Sequence, residues 1–137
     1  MGINYQIEND LSAEEFIEVL VNSTLGERRP IDEPERIASM LKHANLIVTA
    51  RLDGKLIGVA RSLSDFAFCT YMSDLAVDEN YQKMGIGKEL IRQTKLVCGK
   101  GKLLLLAAPK AQNYYPKIGM KHFQHCYYID NVEEINQ

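Results

Sequence analysis

The stretch Asp74-Leu75-Ala76-Val77, the turn Asp78-Glu79-Asn80-Tyr81 and the run Gln82-Lys83-Met84-Gly85-Ile86-Gly87-Lys88 decide how the rest of the chain is read. An apolar strand ends at Val77, a polar turn follows, and two glycines one residue apart open an amphipathic helix. A helix N-terminus carries unpaired backbone N–H groups and about half a unit of positive charge. Glycines beside it let an anion approach the backbone without meeting a side chain. Lys83 and Lys88 add positive charge. The chemistry these residues suit is the cradling of a phosphate or pyrophosphate. The bland alternative is a pair of glycines easing a strand-to-helix turn. The flanking strand, helix and lysines weigh against it.

Two common phosphate loops fail the spacing. A P-loop needs four residues between its glycines and a Ser or Thr after its Lys, but Glu89 follows Lys88 here. The dinucleotide fingerprint needs a third glycine where this chain has Leu90. What does match is Gln82-x-x-Gly85-x-Gly87, which resembles the Q/R-x-x-G-x-G/A signature of the GNAT N-acetyltransferases. The preceding Leu75-Ala76-Val77-Asp78 is similar to the strand before that signature.

The 137 residues suit one domain with one core, spanning 1–137. Hydrophobic content of 46% and charged content of 25% are ordinary for a soluble globular protein. A net charge of −2 gives no general pull toward nucleic acid or an acidic membrane. No apolar run approaches the roughly 20 residues of a membrane helix. The start Met1-Gly2-Ile3-Asn4-Tyr5-Gln6 lacks the basic and apolar regions of a signal peptide, and Gln6 stands where a myristoylation site needs Ser or Thr. Cys69, Cys98 and Cys126 are odd in number and widely spaced. They fit reduced thiols in a cytoplasm better than a disulfide framework.

Taken in order, Ile3–Ile7 alternates as a strand, and Ser12-x-x-Glu15 is a capping box that starts a helix. A second helix is expected from Pro34 through Leu41. Leu46–Ala50 and Leu56–Ala60 flank Asp53-Gly54, a strong hairpin signal, and a third strand is expected over Ala67–Val77. The helix after Gly87 should stop near Gly99-Lys100-Gly101. Lys102–Ala107 reads as a strand buried on both faces, parallel to the one before the helix. A short helix over Ala111–Ile118, distorted by Pro116 and closed by Gly119, should follow. Phe123 and Cys126–Ile129 suggest closing strands, and Asn131–Gln137 a polar tail. The order β-α-α-β-β-β-α-β-α-β is mixed α/β with helices on both faces of the sheet, and it is also the order of the GNAT fold.

A second resemblance lies at Tyr114-Tyr115-Pro116-Lys117-Ile118-Gly119-Met120, similar to the family's Y-x-x-x-G-F segment with Met120 replacing Phe. It implies that Tyr115 is the general acid for a departing thiolate, with Tyr114 the fallback. A phenol with a pKa near 10 is protonated at neutral pH and can supply that proton. Asp74 is the one acid inside an otherwise apolar strand. That makes it either a base for the amine or a structural bridge at a strand irregularity. Asp65 is the weaker alternative base. Two departures from the family pattern stand out. The strand after Lys102 has no acid, and Ala108 occupies the place of a frequent Asn.

The resemblance implies acetyl transfer from acetyl-CoA to a primary amine, with a small molecule or a protein as acceptor and a homodimer allowed. The pantetheine arm would pair with backbone at Leu75, Ala76 and Val77 as an added strand. The pyrophosphate would meet the N–H groups of Lys83, Met84, Gly85, Ile86, Gly87 and Lys88, with Gln82 opening the signature. The first two helices would wall the acceptor site. Elsewhere, Arg28-Arg29 with Asp32, Glu33, Glu35 and Arg36 reads as a solvated charged segment or a grip on a substrate carboxylate. His122-x-x-His125-Cys126 has metal-ligand types, but a strand would set the histidines on opposite faces. No metal is expected.

Overall fold

The computed structural model describes residues 2–136. Met1, which enters the reading of the amino-terminal segment, and Gln137, the end of the polar tail, lie outside the described residues. Contacts divide the chain into two compact units, Met1–Leu106 and Ala107–Gln137.

In the first unit, strand β1 (Ile3–Ile7) leads to helix α1 (Ala13–Asn22). The Ser12 hydroxyl accepts from the Glu15 N–H at 3.2 Å, so the capping pattern does start this helix. A 3-10 turn at Leu25–Arg28 joins α1 to α2 (Pro34–His43), with Pro34 in the first turn of α2, where its missing N–H costs nothing. Strands β2 (Leu46–Leu52), β3 (Lys55–Ser64) and β4 (Cys69–Val77) follow, then α3 (Ile86–Cys98) and β5 (Lys102–Leu105). The sheet order is β1-β2-β3-β4-β5, antiparallel up to β4 and parallel between β4 and β5.

Alternation along the strands builds two apolar layers. Leu46, Val48, Ala50, Ile57, Ala60 and Met72 meet Ile86, Leu90 and Cys98 of α3. Ile47, Val59 and Ala76 meet Phe16, Val19 and Leu20 of α1 and Ile37 and Leu41 of α2. Helices therefore cover both faces, as expected. Each such buried Leu, Ile or Phe contributes about 1.5–3 kcal/mol. Gly58 lets α3 lie close on β3: a Cβ there would meet Leu90 Cδ1 at 3.1 Å and Ile86 Cγ2 at 3.2 Å.

Strand β5 departs from expectation. It is the sheet edge, and while Leu103 and Leu105 pack on the α3 side, Leu104 faces the other way and is 37% exposed. The α1 layer centres on β3 and β4 rather than on β5.

The second unit contains a 3-10 turn at Pro109–Ala111 and helix α4 (Tyr114–Lys117), shorter than the Ala111–Ile118 expected. Pro116 cannot donate to a continuing ladder, and Gly119 at φ +100 ends the turn. The Met120 N–H closes it on the Tyr115 carbonyl at 3.1 Å. The closing strands expected near Phe123 and Cys126–Ile129 do not form; this segment joins no sheet and ends in a 3-10 turn at Val132–Glu134. A strand needs a partner edge as well as suitable residues, and here Tyr127 and Tyr128 remain 90% and 81% exposed. The strand argument separating His122 from His125 falls with it; the His125 ring instead meets Phe123 edge-on at 6.0 Å.

Candidate functional site

The loop after β4 is built from the strand outward. The Asp78 N–H closes on the Ile57 carbonyl at 2.8 Å, and buried Asp78 accepts from the Asn80 N–H at 2.9 Å, starting the turn Glu79–Tyr81. Gln82 reaches back, its side-chain amide donating to the Val77 carbonyl at 3.1 Å. Lys83 then adopts φ +66 and Gly85 φ +80. The left-handed region costs a non-glycine residue about 1–2 kcal/mol, so the loop holds Lys83 there against its preference. A left-handed residue followed by a right-handed one aims successive N–H groups to one side, as a nest does.

That geometry opens α3. Its first internal bond runs from the Glu89 N–H to the Gly85 carbonyl at 3.0 Å, leaving the N–H groups of Ile86, Gly87 and Lys88 ahead of the ladder. Among the described residues no side chain caps this end. Nothing lies within 4 Å of the place a Gly85 Cβ would take, and Lys83, Met84 and Lys88 are exposed around it.

Beside the loop, β4 changes partners part-way along. Its first half pairs with β5, Cys69 through Met72 against Lys102 through Leu105. Its second half pairs with β3 alone, and a register shift places Ser73 opposite no residue of β3. With the Asp78 N–H directed to β3, alternation turns the backbone groups of Leu75 and Val77 to the opposite edge. That edge pairs with no strand among the described residues. The Ala76 side chain is buried toward α1, while Leu75 and Val77 pack on the α3 side.

Asp74 sits at this bulge, 1% exposed. One carboxylate oxygen accepts from Arg29 Nε and the other from Arg61 Nε. Arg29 Nη2 also donates to the Ser73 carbonyl at 2.7 Å, and Arg61 Nη1 to the Met40 carbonyl at 3.1 Å. Arg29 therefore does not belong to a solvated segment, as the charge pattern suggested; it crosses from the α1–α2 connector onto β4. Arg28 is exposed. Arg61 was not singled out from the sequence, and Arg29 grips a carboxylate of the protein itself rather than one of a substrate. The available signal was Arg61 itself, a guanidinium in the strand that the hairpin register sets opposite the one acid of β4.

Asp65 lies at the other end of β4. Its carboxylate accepts N–H bonds from Phe68, Ala67 and Cys69 at 2.8, 2.9 and 3.0 Å, which hold its pKa down to about 2. That group is a turn organiser and a poor base. In the second unit, the Tyr115 ring meets Tyr114 edge-to-face at 5.3 Å. Burial, with a smaller effect from Tyr114, pushes the Tyr115 hydroxyl above its ordinary value.

Residues 9–120 match the acetyltransferase (GNAT) family. The chain belongs to that family. Among similar proteins is a histone acetyltransferase, TAP1, of Glycine max, 31% identical over 108 residues covering 69% of this chain and 46% of that one. A probable acetyltransferase of the same plant, TAP2, is also 31% identical, over 69% of this chain and 42% of its own. The chain thus spans less than half the length of these two relatives. A GNAT-family acetyltransferase from Streptococcus pneumoniae TIGR4 shares the fold at a TM-score of 0.79 and 18% identity, over 98% of this chain and 100% of the other. No helix among the described residues is long and apolar enough to cross a membrane.

Proposed function

We propose that this GNAT chain transfers an acetyl group from acetyl-CoA to a primary amine. The observation that carries the reading is the uncapped, lysine-flanked start of α3 directly after an unpaired β4 edge. An anion and an extended amide chain are the two groups these features suit, and acetyl-CoA has both, joined. The backbone of Leu75 and Val77 would pair with the pantetheine amides, with Ala76 packed behind. The N–H groups of Lys83 to Lys88 would take the pyrophosphate. Gln82 acts by holding the loop to the strand end through the Val77 carbonyl.

In the reaction the neutral amine attacks the thioester carbonyl carbon, and collapse of the tetrahedral intermediate breaks the C–S bond. Tyr115 gives its proton to the departing thiolate, and the extra amine proton leaves to water. Holding amine and thioester together supplies most of the acceleration. A phenol kept protonated well above neutral pH suits the acid's role. For Asp74 the paired geometry supports the anchoring role over the base, because both oxygens already accept from guanidinium groups. The acceptor is a small or protein amine. The three free cysteines suit a reducing compartment such as the cytoplasm.

A binding-only CoA module is the second reading, favoured by the committed oxygens of Asp74 and by an apolar β5. Calorimetry with CoA and an amine panel read by thiol release separate the two. Gly87→Val should abolish CoA binding in a folded protein; undiminished affinity removes the loop from the site. Tyr115→Phe should lower single-turnover rate by about 10²-fold, the low end for general acid catalysis, and leave CoA affinity nearly unchanged. CoA binding with no transfer to any amine establishes the second reading.

A further inference from the structure

The bulge in β4 depends on a donor from outside the sheet. Ser73 has no partner on β3, and its carbonyl is satisfied by Arg29 Nη2 at 2.7 Å. The same guanidinium pairs with Asp74 through Nε and takes the Arg28 carbonyl through Nη1 at 2.9 Å. Three of its five donors are committed within the protein. Arg61 holds the other oxygen of Asp74 and reaches on to the Met40 carbonyl of α2. One polar network thus ties the connector, α2 and the bulge together. The bulge is also where β4 parts from β5, since the parallel pairing stops at Met72. At the start of the same connector Thr24 stands at φ +74, a conformation that a β-branched residue adopts only when its surroundings impose it.

We propose that Arg29 is a positioning residue for acetyl transfer, fixing the β4 bulge so that the backbone of Leu75 and Val77 stays aligned for the pantetheine arm. Because Arg29 comes from the α1–α2 connector, the acceptor wall and the cosubstrate edge are set by one side chain. This rests on the reading of that edge as the acetyl-CoA site. A lysine cannot replace it fully, since a single ammonium lacks the planar fork that reaches carboxylate and carbonyl together. A purely structural staple would lower thermal stability and leave the affinity of the folded protein for CoA where it was.

The test compares Arg29→Met and Arg29→Lys with a control, Arg51→Met. Arg51 is also a partly buried arginine bonded to carboxylates, Glu8 and Glu15, but it lies on β2. Each variant is melted and titrated with CoA by calorimetry. Arg29→Met should weaken CoA binding about tenfold, in keeping with the steep cost of small misplacements, and Arg29→Lys should recover only part of it. Arg51→Met should lose thermal stability with its CoA affinity unmoved. Wild-type affinity in Arg29→Met, or an equal loss in Arg51→Met, overturns the proposal. Should Arg29→Met not fold, Arg29→Lys decides, and wild-type affinity there is equally fatal. A wild-type protein that does not bind CoA brings down the site reading itself, and this inference with it.

Discussion

Two ion clusters in the first unit have opposite make-up. At the β4 bulge, two guanidiniums, Arg29 and Arg61, grip one carboxylate, Asp74. At the β1–β2–α1 rim, two carboxylates, Glu8 and Glu15, grip one guanidinium, Arg51. The Asp74 side chain is fully buried, whereas that of Glu15 is 42% exposed. Burial removes the option of rehydration, so losing Asp74 strands the Arg61 charge, only 7% exposed, inside the fold. At the rim, water can replace a lost partner, and salt screens what remains. The same three-residue chemistry thus serves as an obligatory joint in one place and a fastening in the other.

Breaking the buried joint should have the largest effect. Asp74→Ala is expected to destabilise by about 3–5 kcal/mol in urea unfolding, the usual cost of removing one partner from a buried pair. Asp74→Asn keeps the shape and some of the acceptors, so it should fold with a smaller loss. A base would show instead as a slow, stable Asp74→Asn enzyme with an altered pH–rate profile, which would reverse the anchoring assignment. Arg51→Met comes next, at about 1–2 kcal/mol, because its two partners keep partial access to water. A loss as large as that of Asp74→Ala would erase the distinction between the clusters.

Acid should sharpen it further. Hydrogen bonds from Arg51 hold the Glu8 carboxyl down to about 2 and also lower that of Glu15. A group whose folded pKa is depressed contributes stability that is present above its unfolded value, about 4.3 for Glu. That contribution fades as pH falls toward 2. Wild-type melting temperature should therefore decline over that window, and Arg51→Met should decline less steeply. Parallel curves would mean that the pairs add nothing. The smallest effect is expected from Glu15→Gln, within about 1 kcal/mol for so exposed a partner.

Much of this was legible in advance, for reasons that differ by region. The capping Ser12, the Asp53-Gly54 turn and the glycines around Ile86 act through local backbone geometry, which short spans of sequence carry directly. The cross-strand clusters do not. Arg29 is 45 residues from Asp74 and Arg61 is 13, so only the folded register brings them together. The closing strands failed for a related reason: the apolar and aromatic residues of Cys126–Ile129 describe a segment able to pair, while pairing also needs an edge to receive it. The apolar run Lys102–Ala107 predicts a doubly buried strand, yet a run of leucines does not reveal that the strand, Lys102–Leu105, lies at the sheet's margin.

The edge of β4's second half that pairs with no strand among the described residues has a practical consequence for handling the protein. An exposed row of backbone donors and acceptors is a template for any passing extended chain, and natural sheets usually shield such rows. Here the Gln82 amide covers the Val77 carbonyl. Concentrated, ligand-free preparations should therefore self-associate along this seam, and an excess of CoA during purification should keep the molecules apart.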